Sequence, residues 1–417
     1  MGRTVIVAGG GASGLMAAIA AARAGAEVTV LEGMERCGKK LLLTGNGRCN
    51  LTNLDPELPG KYYGTGATLA EQVIRGFGTF QTLSFFEELG LLTQEKNGYV
   101  YPYSAQAGAV LEVLLTELRR LKVKLKFGEK IESAEKKNGE WQVKTATWRY
   151  TAQALILACG SKAAPGTGSD GSGYTLANML GHTVLPPRPA LAPLVCRGNV
   201  FSQLAGVRCR GTVSLFQKKG GQKLLLKQDT GELQWTKYGV SGIVVFQLSR
   251  FVSENENDGG LYLEIDLLPD FDEDYLKALL HRQAARLPKE RTASVLSGFL
   301  HEKLIPVVLK AAGISVKAVC GDLSDGQILK LADVSKHFCL EVKETKSFDV
   351  CQVCSGGVDC REVSAESLQS LKHDGLFFAG ELLDVDGPCG GYNLQWAWSS
   401  GYTAGSAATT ENGNFGK

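Results

Sequence analysis

The sequence predicts an α/β fold built around a βαβ unit, with a differently patterned region inserted into it. Three observations carry this. Residues 4–32 run in order through a short apolar strand, a glycine-rich turn, an Ala-rich helix and a second apolar strand. Two further apolar strands, in "ALILACG" at 154–160 and "GLFFAGE" at 375–381, stop at a glycine. Between them, from 191 to 345, strand-like and then helical patterns replace the βαβ order.

The chain has 417 residues, 44% hydrophobic and 21% charged, enough for two or three domains. A net charge of +2 leaves no electrostatic footprint for nucleic acid or an acidic membrane, so neither is an expected partner. The 51 glycines cluster in short runs, as phosphate loops and tight turns do. Arg3 before an apolar run imitates a signal peptide, but Gly9, Gly10 and Gly11 interrupt it and Arg23 breaks it. No apolar stretch approaches the length of a membrane span. The 11 cysteines lack small-domain spacing, which points to reduced thiols and a cytoplasmic setting.

The first element is the strand Thr4–Ala8. Gly9-Gly10-Gly11-Ala12-Ser13-Gly14 follows and fits G-x-G-x-x-G. Gly9 serves the tight turn, Gly11 lets the backbone approach a pyrophosphate, and Gly14 lets the helix pack on the strand. The helix expected over Ala12–Ala24 turns its N-terminus, Ala12 and Ser13, toward the phosphates. Gly25 ends it. The strand Glu27–Leu31 closes on Glu32, 18 residues after Gly14, where an acid binds a ribose 2′-OH. An acid there suits an unphosphorylated ribose, hence FAD or NAD.

Residues Val123–Ala158 read as a small β-meander, with Asn138-Gly139 as a hairpin turn, ending in the Ala154–Gly160 strand. After "GLFFAGE" come "DGPCGG" and a helix over Tyr392–Ala408. These elements resemble the two-dinucleotide-binding-domain flavoproteins. "TGNGRCNLTN" at 44–53 and "AGELLDVDGPCGGYNLQWAWSSG" at 379–401 narrow the resemblance to the BaiN-like, aminoacetone oxidase-like family. The resemblance spans most of the chain and implies FAD. It implies a cradle of Lys40 and the loop Thr44, Gly45, Asn46, Gly47, Arg48, Cys49 and Asn50. It adds Ile131, the strand end Ala158, Cys159 and Gly160, then Gly380 and Glu381, and finally Gly391, Tyr392, Asn393 and Leu394. Arg48 could neutralise the pyrophosphate or anchor a substrate acid. The competing reading of the loop is a surface turn.

The resemblance also implies the architecture, a Rossmann-like FAD-binding domain with an inserted β-barrel-like and small helical domain. The expected boundaries are 1–190 and 346–417 for the FAD domain and 191–345 for the insertion. Within the insertion Leu191–Leu268 is strand-like, and Asp272–Val334 is helical.

Three departures stand out. Cys159 replaces the Thr of an Ala-Thr-Gly strand end, Cys389 replaces Thr in the "DGPTGG" pattern, and "WTKYGVSGI" has Lys237 for His and Ile243 for Pro. Tyr238, Lys237 and Cys389 are the candidate catalytic residues; the competing reading packs Tyr238 and leaves Lys237 in water. "GTGSDG" at 166–171 lacks the strand and acid of a second dinucleotide site. Cys351, Cys354 and Cys360, with Cys339 upstream, lack a matching second pair, so no metal is expected; "FDVCQVCSGG" alternates like a half-buried strand.

The activity implied is an FAD-dependent oxidoreductase reducing a C=C bond conjugated to a carbonyl of a small molecule, with NAD(P)H as transient donor. Two alternatives stay open: an oxidase of a small amine or amino ketone using oxygen, and a non-catalytic flavin-bound factor.

Overall fold

The computed structural model describes residues 2–55 and 60–410. The chain divides into two compact units, Met1–Arg188 with Gln352–Lys417, and Pro189–Cys351. The chain thus crosses at 188/189 and 351/352, against 190/191 and 345/346 read from the sequence.

The first unit is organised by a parallel sheet of five strands in the order Leu376–Phe378, Ala154–Leu157, β1 (Thr4–Ala8), β2 (Glu27–Glu32), Lys124–Phe127. Val5 pairs with both Ala154 and Val28, so β1 lies at the centre and both faces must be covered. One cover is helix α1 (Ala12–Arg23), whose residues Ser13–Ala21 are all buried. An Ala-rich helix suits this place because its small side chains admit a close neighbour. That neighbour is the last helix, Tyr392–Ala407. A Cβ on Gly401 would lie 2.4 Å from the Ser13 carbonyl oxygen, and one on Gly405 would lie 2.3 Å from that of Ala17. The two helices therefore meet backbone to backbone, and only glycine fits the contact. Trp396 and Trp398 are fully buried, with their indole N–H groups donating to Gly380 O and Leu51 O.

The meander expected over Val123–Ala158 is shorter than read. Lys124–Phe127 and Ala154–Leu157 join the parallel sheet, leaving three antiparallel strands, Ile131–Lys137, Glu140–Thr145 and Arg149–Ala152. Asn138 and Gly139 turn the first hairpin with φ of 51° and 86°.

The second unit is built on a closed antiparallel barrel of six strands, and four of its α-helices, Glu273–Arg286, Thr292–Leu296, Ile305–Ala311 and Asp325–Lys336, run between the fifth and sixth strands, Leu261–Asp266 and Phe338–Thr345. Closure removes the sheet edges. Asp272 caps the first helix by accepting from Tyr275 N, and Ser324 forms a capping box with Gln327 at the last. The region read as strand-like also holds a helix, Ile243–Asn255. Its buried positions Val244, Val245, Leu248, Ser249, Val252 and Ser253 follow the helical period, which its β-branched start obscures.

One polar network in the first unit is centred on a buried histidine. His182 is 3% exposed; its Nδ1 lies 3.0 Å from Glu362 Oε2 and its Nε2 2.8 Å from Ser370 Oγ. Lys372 pairs with Glu362, and His373 lies beside the His182 ring. Burial holds His182 below its usual range, although the Glu362 charge opposes this. The unfolded chain therefore binds that proton first, and stability falls as pH drops below about 6.5. Burial raises Glu362, but the hydrogen bonds from Lys372 and Thr183 overcome it and bring the carboxyl down to about 2. Bonds from Arg120 and Arg23 likewise bring Glu117 to about 2 against burial. Both contribute stability present above the unfolded value of about 4.3 and lost toward pH 2. Thermal melts against pH are expected to decline below about 6.5 and more steeply below about 4.3, with His182→Gln removing the first decline. A wild-type profile flat between those two values would refute this.

Candidate active site

The turn from β1 into α1 is shaped by what a side chain would strike. Gly9 has φ 105°, and its Cβ would lie 2.5 Å from Ala158 O. A Cβ on Gly14 would lie 1.9 Å from Gly9 O. Gly11 is different, because nothing lies within 4 Å of its Cβ position. The backbone there faces open space that a pyrophosphate can fill, beside the first turn of α1, which has no side-chain cap. Glu32, at the end of β2, accepts from Gly10 N at 2.7 Å and from Met34 N at 2.8 Å. Both oxygens are thereby aimed by main chain and keep lone pairs for a ribose. Burial, with the Glu32 charge adding to it, pushes the Cys37 and Cys159 thiols up to about 12. Cys159 thus stays a neutral thiol, its Sγ 3.5 Å from Ala8 O, and can fill the place of a threonine.

The loop after β2 is held by its own turns. The 3₁₀ turn Leu41–Gly47 is broken inside, with φ of 57° at Gly45 and 56° at Asn46, and Gly47 and Cys49 are also left-handed. Arg48 N donates to Gly45 O and Cys49 N to Thr44 O. Asn46 and Arg48 are exposed and have no side-chain partner among the described residues. Cys49 is fully buried and held at about 12 by burial, so only its backbone is available to a ligand. The Asn50 amide donates to Val100 O and Thr52 O and accepts from Gly391 N, which makes it a clamp.

That clamp joins two segments far apart in sequence. Gly391, φ 95°, begins the last helix, and a Cβ on it would lie 2.5 Å from Thr52 O. Asn53 Nδ2 donates to Gly390 O, and Thr52 Oγ1 donates to Gln395 Oε1. The Asn393 carboxamide is spent within its own loop, accepting from Gly387 N and donating to Gly387 O. The Tyr392 hydroxyl donates to Asp55, and Leu394 is half-buried beside it. Gly380 N donates to Ser400 Oγ, and a Cβ on Gly380 would lie 2.4 Å from Ser13 Oγ. Glu381 Oε2 accepts from Lys40 Nζ at 2.6 Å and Ser161 Oγ at 2.8 Å. Ala158 N donates to Ala8 O beside the glycine turn, and Gly160 has φ 74°. Ile131 is buried at the head of its strand in the same core. The first-unit candidates thus belong to one framework of glycine turns, strand ends and the last helix.

Sequence reasoning missed Ser161, although it follows the Gly160 strand end directly. It also missed Tyr99 and Tyr101, on the strand Tyr99–Pro102 that pairs with Thr52–Asn53. The spacing in "YVYP" was the available signal.

The catalytic candidates fall in different units. Cys389 is half-buried with Gln352 Oε1 3.8 Å from its sulfur. Lys237 and Tyr238 lie in the second unit, at the turn before Gly239–Ser241. The Lys346 ammonium sits 4.1 Å over the centre of the half-buried Tyr238 ring. Cys354 lies on the strand Val353–Val358, but Cys351 precedes it in a turn, so the alternation read for "FDVCQVCSGG" starts too early. Among the described residues no group of three or more His, Cys, Asp or Glu could hold a metal ion. No helix there is long and apolar enough to cross a membrane.

The HI0933-like protein Rossmann domain matches residues 3–407. The chain belongs to this HI0933-like family. It is 43% identical over 407 residues to a 3-dehydro-bile acid delta(4,6)-reductase of Clostridium scindens, covering 96% of this chain and 98% of the relative. It is 30% identical over 405 residues to a ribosomal RNA dihydrouridine synthase of Haemophilus influenzae, covering 95% and 96%. A 3-ketosteroid-delta4-(5alpha)-dehydrogenase structure from Rhodococcus jostii covers 98% of this chain and 97% of its own, at 18% identity and a TM-score of 0.49. This HI0933-like protein is an FAD-dependent oxidoreductase. The residues present fit that cofactor: the Gly11 backbone leaves room that a Cβ would fill, and Glu32 is held ready by two amides.

Proposed function

We propose that this enzyme saturates a C=C bond conjugated to a carbonyl in a small molecule, taking electrons from NAD(P)H in the cytoplasm. The likeness to the bile acid reductase, at 43% identity over nearly the whole of both chains, carries the reading. The second relative's name fits the same chemistry, because dihydrouridine formation saturates a ring double bond conjugated to a carbonyl. The formal charge of +2 favours a small molecule over RNA, whose phosphates call for a basic surface.

The backbone at Gly11, Ala12 and Ser13 would hold the pyrophosphate, and Glu32 the adenosine ribose. Glu381, fixed by Lys40 and Ser161, would meet the sugar chain, and Gly391–Leu394 the ring end. Bound there, FAD supplies hydride chemistry. The positive N-terminal end of the last helix favours negative charge beside it. Arg48, free of partners among the described residues, is suited to an anionic group on cofactor or substrate. Tyr238 and Lys237 stay candidates for hydrogen-bonding the carbonyl oxygen, with Tyr238 already packed against Lys346.

Anaerobic stopped-flow tests this directly. Rapid bleaching by NADH or NADPH followed by reoxidation with an enone is the expected result. Bleaching only by an amine or amino ketone, with reoxidation by oxygen, points to the oxidase alternative. No bleaching by any donor points to the non-catalytic one.

A further inference from the structure

Tyr101 stands on a short strand that the cofactor loop itself holds in place. Thr52 pairs with Val100, Asn53 with Tyr99, and Leu51 N donates to Val100 O at 2.8 Å. In a strand, residues two apart share a face, so Tyr99 and Tyr101 point the same way while Val100 is buried on the other side. Their rings touch two different cofactor loops. The Tyr101 ring edge lies 3.6 Å from the Cβ position of Gly45, and that of Tyr99 lies 2.6 Å from the Cβ position of Gly390. Neither glycine tolerates a larger residue without displacing its tyrosine or straining its own positive φ.

The phenols differ in what they do. Tyr62 donates to Tyr392 O, Tyr392 to Asp55 Oδ2, and Tyr174 to Glu381 O. Tyr101 is half-buried, and its hydroxyl has no partner among the described residues. The thiols in the same framework, Cys37, Cys49 and Cys159, are sealed by burial. Tyr101 is therefore an unengaged acid held against the cofactor loop by strand pairing, where its position is defined to better than a loop could define it.

We infer that Tyr101 is a catalytic acid of this enzyme, giving its proton to the α-carbon of a conjugated ketone; the inference rests on the enone reading above. The balance is complete. The β-carbon would take the hydride that FAD, once reduced by NAD(P)H, supplies, the C=C electron pair moves toward the carbonyl as an enolate, and the α-carbon forms its new C–H bond with the Tyr101 proton. The phenolate recovers a proton from water, which its half-exposed position allows. An enolate α-carbon is a far stronger base than a phenolate, so the transfer runs downhill.

The test compares the holoenzyme with Tyr101→Phe and with Tyr103→Phe, a strongly exposed neighbour. The flavin is reduced anaerobically, and reoxidation is followed with 2-cyclohexenone, with a 4-en-3-one steroid and with ferricyanide, which needs no carbon protonated. Tyr101→Phe is expected to slow reoxidation by enone by about 10²-fold, within the usual range for general acids. Ferricyanide reoxidation and FAD content should stay within about twofold, and Tyr103→Phe should behave as wild type. A second readout needs no turnover. In protein carrying [13Cζ]tyrosine, the resonance missing from Tyr101→Phe should shift when saturated cyclohexanone is added. Equal enone rates in wild type and Tyr101→Phe overturn the inference, as do equal slowing toward ferricyanide and an unmoved resonance. Wild-type flavin that no enone reoxidises removes the enone reading itself and the role of Tyr101 with it; that failure is distinct because it appears without any substitution.

Discussion

Gly401→Ala is expected to lower the unfolding free energy by about 3 kcal/mol, near the top of the range for overpacking, and to release FAD from the purified protein. The new methyl carbon would lie 2.4 Å from Ser13 O, 3.0 Å from Met16 Cβ and 3.1 Å from the Ser13 carbonyl carbon. Two of these are backbone atoms, which cannot swing aside as a side-chain tip does, so the helices must separate. Ser13 is also the fifth residue of the glycine turn, and its Oγ lies under Gly380. A shift of α1 by a few tenths of an ångström therefore moves both ends of the cradle. Gly108→Ala is the control: it lies in the helix Ala107–Arg120 with nothing within 4 Å of its Cβ, and should be neutral or stabilising by up to about 1 kcal/mol. Urea unfolding followed by circular dichroism, with flavin content measured on the same samples, checks both. An unchanged midpoint for Gly401→Ala would remove the close helix contact from the account.

Glu32→Ala should weaken FAD binding by about 10²-fold, the order expected when hydrogen bonds to a charged acceptor are lost. The structure adds a consequence that the sequence pattern does not carry. The carboxylate accepts from Gly10 N and Met34 N, so its removal leaves two amides without their acceptor even before FAD is bound. The apoprotein should lose about 1–3 kcal/mol as well. Glu32→Gln keeps one acceptor oxygen but turns an NH₂ toward an amide, and should fall between. Titration of FAD into apoprotein gives the affinity, and apoprotein melts give the second effect. Full yellow occupancy of Glu32→Ala after dialysis would show that the ribose contact is dispensable. A normal apoprotein melt would show that the two amide bonds are.

The βαβ unit was readable because its chemistry is local. Gly9, Gly11, Gly14 and Glu32 each answer a requirement set within thirty residues; the first strand falls where it is read, and only the helix end and the second strand's end differ, each by one residue. The loop at 44–53 was recognisable from its resemblance, though its turn formers alone allow an ordinary surface turn. The insertion was less readable. The helix Ile243–Asn255 begins with Ile-Val-Val-Phe, which suits a strand until tertiary packing selects the helical face. The meander read over Val123–Ala158 was overdrawn because Lys124–Phe127 is polar on alternate residues, as an edge strand of a parallel sheet can be.

The sequence by itself determined that this chain binds a dinucleotide with a free ribose, and the two long motifs pointed to FAD. Short-range geometry is enough for that, since a tight turn, a close backbone approach and a strand-end acid are each written in consecutive residues. Only the tertiary structure decided which polar groups remain for a ligand. The Asn50 side chain is engaged in joining two loops and that of Asn393 within its own loop, while Ser161 and Tyr101 stand at the cradle without a motif to announce them. The physical reason is that a hydrogen bond spent across the chain cannot be seen along it: Asn50 meets Gly391, and Lys40 meets Glu381, only after the parallel sheet has brought their segments together.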